Sequence, residues 1–457
     1  MDKIKNFAGK LIQKKYLPFW FFAGIQIIYH LMMREGPGTD AMWFFRNQLD
    51  AYSLKDYLTI RYQVWSSRIV IEAVLVYVSR HLVLWKVIDT FAWILFVILF
   101  AAAIPGEKRE RINWLVVSLV LIYPLKDLNT AGWVATTTNY IWPLALGMFA
   151  LTGVSLVLQK KKVPLPLFIM SLPAMFYAAN AEQMCAVIFG ICFVGILYCI
   201  FFAKRKVSTW WQLIVWTVFS LGELLFIFTC PGNSVRKIEE IRRCMPNYKT
   251  YNIIDKFTLG FVDTVHHMIS SENLLFLMLA VLLMVLVFFK TKEFIFRLAG
   301  VLPVMFNVLL TFFGDAFERN FTKLSSLFDL NEIVNGSNYQ LAYSYLPLLV
   351  YALVLLCILV SVSVISTSWT EFLGYFCLLG IGLASRVVMG FTPTIFVSQE
   401  RTFLYLYVTI IAAIIFMVQR NIKLLLEHKN IYETLKMITA CVLVLSIVNG
   451  FMAASAI

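Results

Sequence analysis

The sequence predicts an all-α polytopic membrane protein of about thirteen transmembrane helices, with amphipathic helices in its first outer loop. Three observations carry that expectation. Of the 457 residues, 60% are hydrophobic and 14% charged, where soluble domains have about 45–50% and about 25%. Runs of about 18 or more apolar residues recur along the whole chain, the length a spanning helix needs. The alternating pattern of an outer-membrane barrel is absent. Together with a mean hydropathy of +0.79, these features exclude a cytosolic enzyme, a disordered chain and a nucleic-acid module. The pI near 9.3 then reads as the Lys/Arg bias of cytoplasmic loops.

The elements follow in order. Lys3, Lys5, Lys10, Lys14 and Lys15 precede an apolar run from Tyr16 to Met33. Arg34-Glu35-Gly36-Pro37 comes next instead of a small-residue cleavage site, so the run is an uncleaved first span with the N-terminus cytoplasmic. Further basic clusters stand at Lys108 to Arg111, Lys160 to Lys162, Lys204 to Lys206, Lys290 to Arg297 and Arg420 to Lys429. Placing each inside, with a weaker turn at Thr367 to Glu371, sets the spans. They fall at 16–33, 87–105, 112–125, 141–159, 164–179, 184–203, 210–229, 273–289, 297–314, 345–365, 372–386, 402–419 and 432–450. Arg68, Glu72, Arg80 and His81 interrupt residues 65–85, which are expected to re-enter or to lie on the outer surface. The expectation is one integral membrane domain, 1–457, multi-pass in the cell membrane, with outer loops 34–86, 126–140, 180–183, 230–272, 315–344 and 387–401.

Functional residues concentrate on loops held by a rigid scaffold, and the long, mixed-charge loops are the outer ones. Asp40 follows the turn-forming run Gly36-Pro37-Gly38-Thr39. Its residue type fits a helix N-cap and equally a general base beside the bilayer. Ala41 to Asp50 reads as a surface helix with Trp43, Phe44, Phe45 and Leu49 toward the membrane and an Arg46–Asp50 pair at i, i+4. Ser53-Leu54-Lys55-Asp56 resembles a capping box that opens a second helix. Arg68 and Glu72, also at i, i+4, form either a salt bridge or leave Arg68 facing a polar cavity. Other outer patches are Asn139-Tyr140-Ile141-Trp142-Pro143, Asn180-Ala181-Glu182-Gln183, Cys230-Pro231-Gly232-Asn233-Ser234-Val235-Arg236, and Ser398-Gln399-Glu400-Arg401-Thr402 with Arg386 before it. Several arginines at span ends on one side suit a lipid-borne phosphate, which guanidinium binds bidentately.

Absences narrow the chemistry. The five histidines show no zinc spacing, and no metal or other cofactor is indicated. No Gly-rich phosphate loop, dinucleotide fingerprint or G-x-S-x-G is present, so nucleotide-sugar use has no visible site. Cys185, Cys192 and Cys199 repeat every seven residues as helix packing would. Cys230 and Cys244 share one outer loop, which leaves a disulfide open.

The layout resembles the GT-C superfamily of membrane glycosyltransferases, and within it a largely uncharacterised group from Gram-positive bacteria. The resemblance rests on Asp40 after the first span, Trp65-Ser66-Ser67-Arg68, Asn139 to Pro143, Pro231-Gly232-Asn233 with Arg236, and Glu400-Arg401. The chain departs from that pattern in having no acid adjacent to Asp40 and Ser-Ser before Arg68 in place of Asn-Gly. The resemblance implies transfer of a sugar from a polyprenyl-phosphate donor to a cell-wall polysaccharide or teichoic acid on the extracellular face, with inversion. Asp40 would then be the base. Arg68, Arg236, Arg386 and Arg401 would bind the donor phosphate, and Asn139, Tyr140, Glu182, Asn233 and Glu400 the sugar or acceptor. Loop 315–344, with Asn335-Gly336-Ser337-Asn338-Tyr339, would help hold the acceptor glycan. The alternatives are a lipid-linked glycan flippase and a polysaccharide polymerase or ligase.

Overall fold

A computed structural model describes residues 13–270, 274–322, 338 and 340–456. Among them every regular element is helical. Among the described residues nine helices are long and apolar enough to cross a membrane, or ten if the bent pair Ile253–Ser270 and Leu274–Lys290 makes one span. The protein is therefore built as a multi-pass membrane protein. Each of the thirteen expected segments falls on a helix. Four of those helices are shorter than a full span: Leu17–Met32 has 16 residues, Arg109–Ile122 and Leu165–Ala178 have 14 each, and Leu274–Lys290 has 17. At about 1.5 Å per residue, 14 residues reach about 21 Å of a core about 30 Å thick.

The chain divides into two compact units, residues 1–236 with 430–457, and residues 237–429. The division falls within helix Pro231–Cys244. In the first unit, Trp133–Leu158 is the hub, packing against Leu82–Ala103, Leu165–Ala178 and Glu182–Leu197. Its apolar window is 72% buried, against 28% for Leu82–Ala103. Leu17–Met32 packs on Leu82–Ala103, and Tyr29 of that first helix donates to Ile447 O at 3.0 Å on the last helix, Lys429–Ser455. In the second unit, Glu400–Arg420 is the buried helix, at 78%, flanked by Trp369–Val387 and Leu274–Lys290. The remaining spans turn side chains such as Phe91, Phe228 and Leu349 outward, as lipid-facing helices do.

Two helix starts come earlier than the hydropathy places them. Helix Trp133–Leu158 begins before 141 because two of the threonines in its first turns are satisfied inside the helix bundle. Thr138 bonds back to Val134 O, and Trp85 Nε1 donates to Thr137 Oγ1 at 3.0 Å. Asn139 and Tyr140 thus lie in the second turn of the hub helix. Leu82–Ala103 likewise starts at Leu82 and not near 87. Residues 65–85 hold the short helix Ile69–Val78, whose 10 residues are about half the number a crossing needs.

Candidate functional site

The first loop folds as four short helical pieces, Ala41–Phe45, Gln48–Ala51, Leu54–Val64 and Ile69–Val78. Ala41–Phe45 is wound as a π turn, and Leu54–Val64 is a regular helix. Ser53 caps the latter, its Oγ accepting from Asp56 N at 3.2 Å while donating to Asp56 Oδ2 at 2.6 Å. Trp43 and Phe44 are exposed, whereas Phe45 lies under the Arg61 guanidinium. The expected Arg46–Asp50 pair does not form. The helix breaks at Arg46 and Asn47, so the i, i+4 register is lost. Asp50 pairs with Arg80 instead, and Arg46 Nη1 rests 3.3 Å from Met42 Sδ.

The turn before Asp40 closes as its composition predicts, with Thr39 N and Oγ1 donating to Gly36 O at 3.3 and 2.9 Å. Asp40 N then donates to Ala131 O at 3.1 Å, which pins the turn to the loop ahead of the hub helix. Asp40 has helical backbone angles (φ −55°, ψ −39°), and its side chain makes no capping hydrogen bond. An N-cap residue has extended angles and a capping side chain, so the cap reading of Asp40 is set aside.

Glu35 supplies what the sequence lacked beside Asp40. Its Oε2 accepts from Val134 N at 3.1 Å, capping the hub helix from another segment. That approach requires Gly132, whose φ is +87° and where a Cβ would fall 2.2 Å from Glu35 Oε1. Burial pushes the Glu35 carboxyl above its ordinary 4.5 and the Asp40 charge adds to this, against hydrogen bonds from Thr39, Val134 and Trp133. A cavity of about 450 Å³ lies against this turn, lined by Glu35, Pro37, Met42, Arg46, Asn47 and Leu82.

Arg68 lies at the centre of a second polar cluster in the same unit. It is the N-cap of Ile69–Val78 with non-helical angles (φ −75°, ψ 46°), so it cannot reach Glu72 as an i, i+4 helical pair would. Glu72 is taken by Arg61, through Nε at 2.5 Å and Nη2 at 2.8 Å, with Tyr57 OH donating at 3.2 Å. Arg68 turns instead to Glu182 Oε2, 2.6 Å from its Nε, and to Asn139 Oδ1, 3.0 Å from its Nη1. Tyr140 lies within electrostatic range of Arg68, and Arg236 within that of Glu182. Arg236 also sits over the Trp65 ring at 5.8 Å. Four of the expected site residues, Arg68, Asn139, Tyr140 and Glu182, are thus brought together, with Arg236 beside them.

Asn233 and Asn180 hold the Ser66-Ser67 turn that aims Arg68. Asn233 Oδ1 accepts from Ser67 N at 3.3 Å, and its Nδ2 donates to Ser67 Oγ at 3.2 Å and Ile227 O at 2.8 Å. Asn180 Oδ1 accepts from Val70 N and Ile71 N at 3.0 and 3.2 Å, capping the short helix in place of Arg68. Gly232 packs on the same turn: a Cβ there would stand 2.6 Å from Trp65 N and from Tyr62 O. Asn233, expected to touch sugar, has both amide ends committed to this clamp.

Arg386, Glu400 and Arg401 belong to the second unit. Arg386 is 2% exposed, bonds Asp263 Oδ2 at 2.6 Å through Nη2, and lies 4.3 Å over the Phe403 ring. Glu400 is within electrostatic range of Asp263, and Arg401 is half-buried in the turn Glu400–Phe403. The acceptor segment Asn335 to Tyr339 lies, apart from Asn338, outside the described residues, as does the basic run through Lys10. Cys230 and Cys244 are free thiols. They sit at opposite ends of the 14-residue helix Pro231–Cys244, about 20 Å apart at 1.5 Å per residue, too far to bridge. Among the described residues no group of three or more His, Cys, Asp or Glu side chains is placed to hold a metal.

Sequence reasoning marked the patch at Asn180 without its capping role, and it missed Glu35 and the pair His30–Asp89. His30 Nε2 meets Asp89 Oδ2 at 2.7 Å, and Trp142 Nε1 donates to Asp89 Oδ1 at 2.6 Å, all buried. An acid inside an apolar run was the available signal for Asp89. No family model, no curated protein and no solved structure matches the chain.

Proposed function

We propose that the protein is a glycosyltransferase of the GT-C kind. In this reading it moves a sugar from a polyprenyl-phosphate donor to a cell-surface polysaccharide or teichoic acid on the outer face of the cell membrane. The observation that carries the reading is the cavity of about 450 Å³ against the Asp40 turn, with an acid, a guanidinium and an amide in its wall. Asp40 takes the proton of the acceptor hydroxyl as its oxygen bonds the anomeric carbon. The bond from that carbon to the phosphate oxygen breaks, and its electron pair leaves with the lipid phosphate. Arginines of the same unit, Arg68 and Arg236, are the candidates to receive that charge.

Transfer from a purified polyprenyl-phosphate sugar in liposomes tests this. Asp40→Asn keeps the side-chain shape and removes the base, so turnover falls by about 10²–10⁴ while the unfolding temperature stays near the parent's. An Asn variant as active as the parent removes Asp40 from the mechanism. The carrier alternative draws on the ionisable pair His30–Asp89 within the bundle, yet those two groups are hydrogen-bonded to one another and to Trp142. Movement of intact lipid-linked glycan across the bilayer, with no transfer, selects the carrier.

A further inference from the structure

A second hollow opens where helix Leu82–Ala103 begins. It measures about 690 Å³ and is lined by Arg46, Arg80, His81, Leu82, Val83 and Leu84. It shares Arg46 and Leu82 with the smaller cavity. Arg80 carries Asp50 as its partner. Arg46 contacts the Met42 thioether, a weak acceptor, and among the described ion pairs it has no carboxylate. The guanidinium fork is therefore available to a stronger acceptor.

An apolar stripe leads away from this hollow. Val83, Val87 and Phe91 follow at intervals of four on one face of the helix and are 78%, 48% and 67% exposed. They cover about 12 Å of helix length, starting at Val83, which lines the hollow with two arginines and a histidine. A free anion has no use for the stripe, and an uncharged lipid has none for the guanidinium groups. We propose that the hollow binds the phosphate headgroup of an anionic membrane phospholipid whose chains lie along Val83, Val87 and Phe91. The hollow shares Arg46 with the cavity of the proposed reaction, so its test reads lipid binding alone and not turnover.

The full chain, delipidated in a neutral detergent, is titrated with phosphatidylglycerol, phosphatidylcholine and inorganic phosphate, and adducts are counted by native mass spectrometry. Phosphatidylglycerol binds about tenfold more tightly than phosphatidylcholine, the scale of one charge-assisted, bidentate contact. Arg46→Gln removes that preference at an unchanged unfolding temperature, and Arg46→Lys, which keeps charge without the fork, retains part of it. Phe91→Ser weakens phosphatidylglycerol binding. Equal binding of the two lipids, or an Arg46→Gln variant that discriminates like the parent, overturns the proposal. So does inorganic phosphate that binds as tightly as phosphatidylglycerol, which would make the hollow a site for a free anion. A polyprenyl phosphate added to the same titration that binds more tightly than phosphatidylglycerol, and loses that advantage in Arg46→Gln but not in Arg68→Met, would overturn the phospholipid as the occupant of the hollow.

Discussion

Arg68 and Arg386 look alike in the sequence, each an arginine at the end of an apolar run, and the fold puts them to different uses. Arg386 is sealed, 2% exposed, with Asp263 on one side and the Phe403 ring on the other. Arg68 and its partner Glu182 keep 26% and 30% of their side chains exposed, with the Asn139 amide bonded to Arg68 and Tyr140 within electrostatic range of it. A guanidinium buried against one carboxylate is fixed in place, because separating the two leaves an uncompensated charge in a medium of low dielectric. A guanidinium with an open flank can exchange partners when an anion arrives. Exposure of the pair, more than the presence of arginine, therefore separates a structural cation from one suited to ligand.

The largest expected effect breaks the buried member. Arg386→Met leaves Asp263 unpaired and destabilises the protein by about 3–5 kcal/mol, while adding Asp263→Leu to it recovers much of the loss. Arg68→Met, in the half-open cluster, costs about 1–2 kcal/mol. Urea or thermal unfolding of the purified variants in detergent measures both. Equal losses at the two sites would remove the distinction.

A smaller effect sharpens the account of what aims Arg68. Gly232→Ala drives a methyl group into the Trp65-Ser66 backbone, with Trp65 N and Tyr62 O each 2.6 Å from the Cβ position. Overpacking of this kind costs about 1–3 kcal/mol. Gly222, in helix Trp211–Thr229, has nothing within 4 Å of its Cβ position. Gly222→Ala is the control and is neutral or stabilising, by about 0.5–1 kcal/mol. If both alanines behave alike, Gly232 is not what seats the turn.

The spans were legible because length and apolarity suffice to mark them. Their starts were less so: the threonines ahead of Trp142 look like loop residues until Trp85 and the Val134 carbonyl are seen to satisfy two of them. Of the candidate site, the residue types and the turn at Gly36 to Thr39 were readable, and the pairings were not. Arg68 meets Glu182 across 114 positions and Glu72 meets Arg61 across 11. A local i, i+4 rule assigns Arg68 to Glu72, since it knows the spacing but not that Arg68 stands outside the helix. Asn233 shows the same limit in reverse. Its place after Pro-Gly marked it for ligand, yet a turn from elsewhere in the chain uses both ends of its amide.

The smallest expected effect concerns Glu35, which is half-buried where Arg386 is sealed and has no ion pair among the described ones. Its carboxyl is raised above 4.5 by burial first and by Asp40 second. The folded state therefore keeps this proton at pH values where the unfolded chain has released it. Stability falls as pH rises from about the unfolded value toward the raised folded one, and levels off above it. Glu35→Gln still offers an oxygen to Val134 N and carries no charge, so this segment of the pH–stability curve flattens. Near neutral pH the variant unfolds at a slightly higher temperature than the parent, and below about pH 4 the two converge, both side chains then being neutral. Unfolding temperatures of parent and variant across pH 4 to 8 give the comparison directly. A variant less stable than the parent at pH 7 would mean that the Glu35 charge is favourable where it sits, as a carboxylate capping the hub helix would be, and that the cap outweighs burial and the repulsion from Asp40.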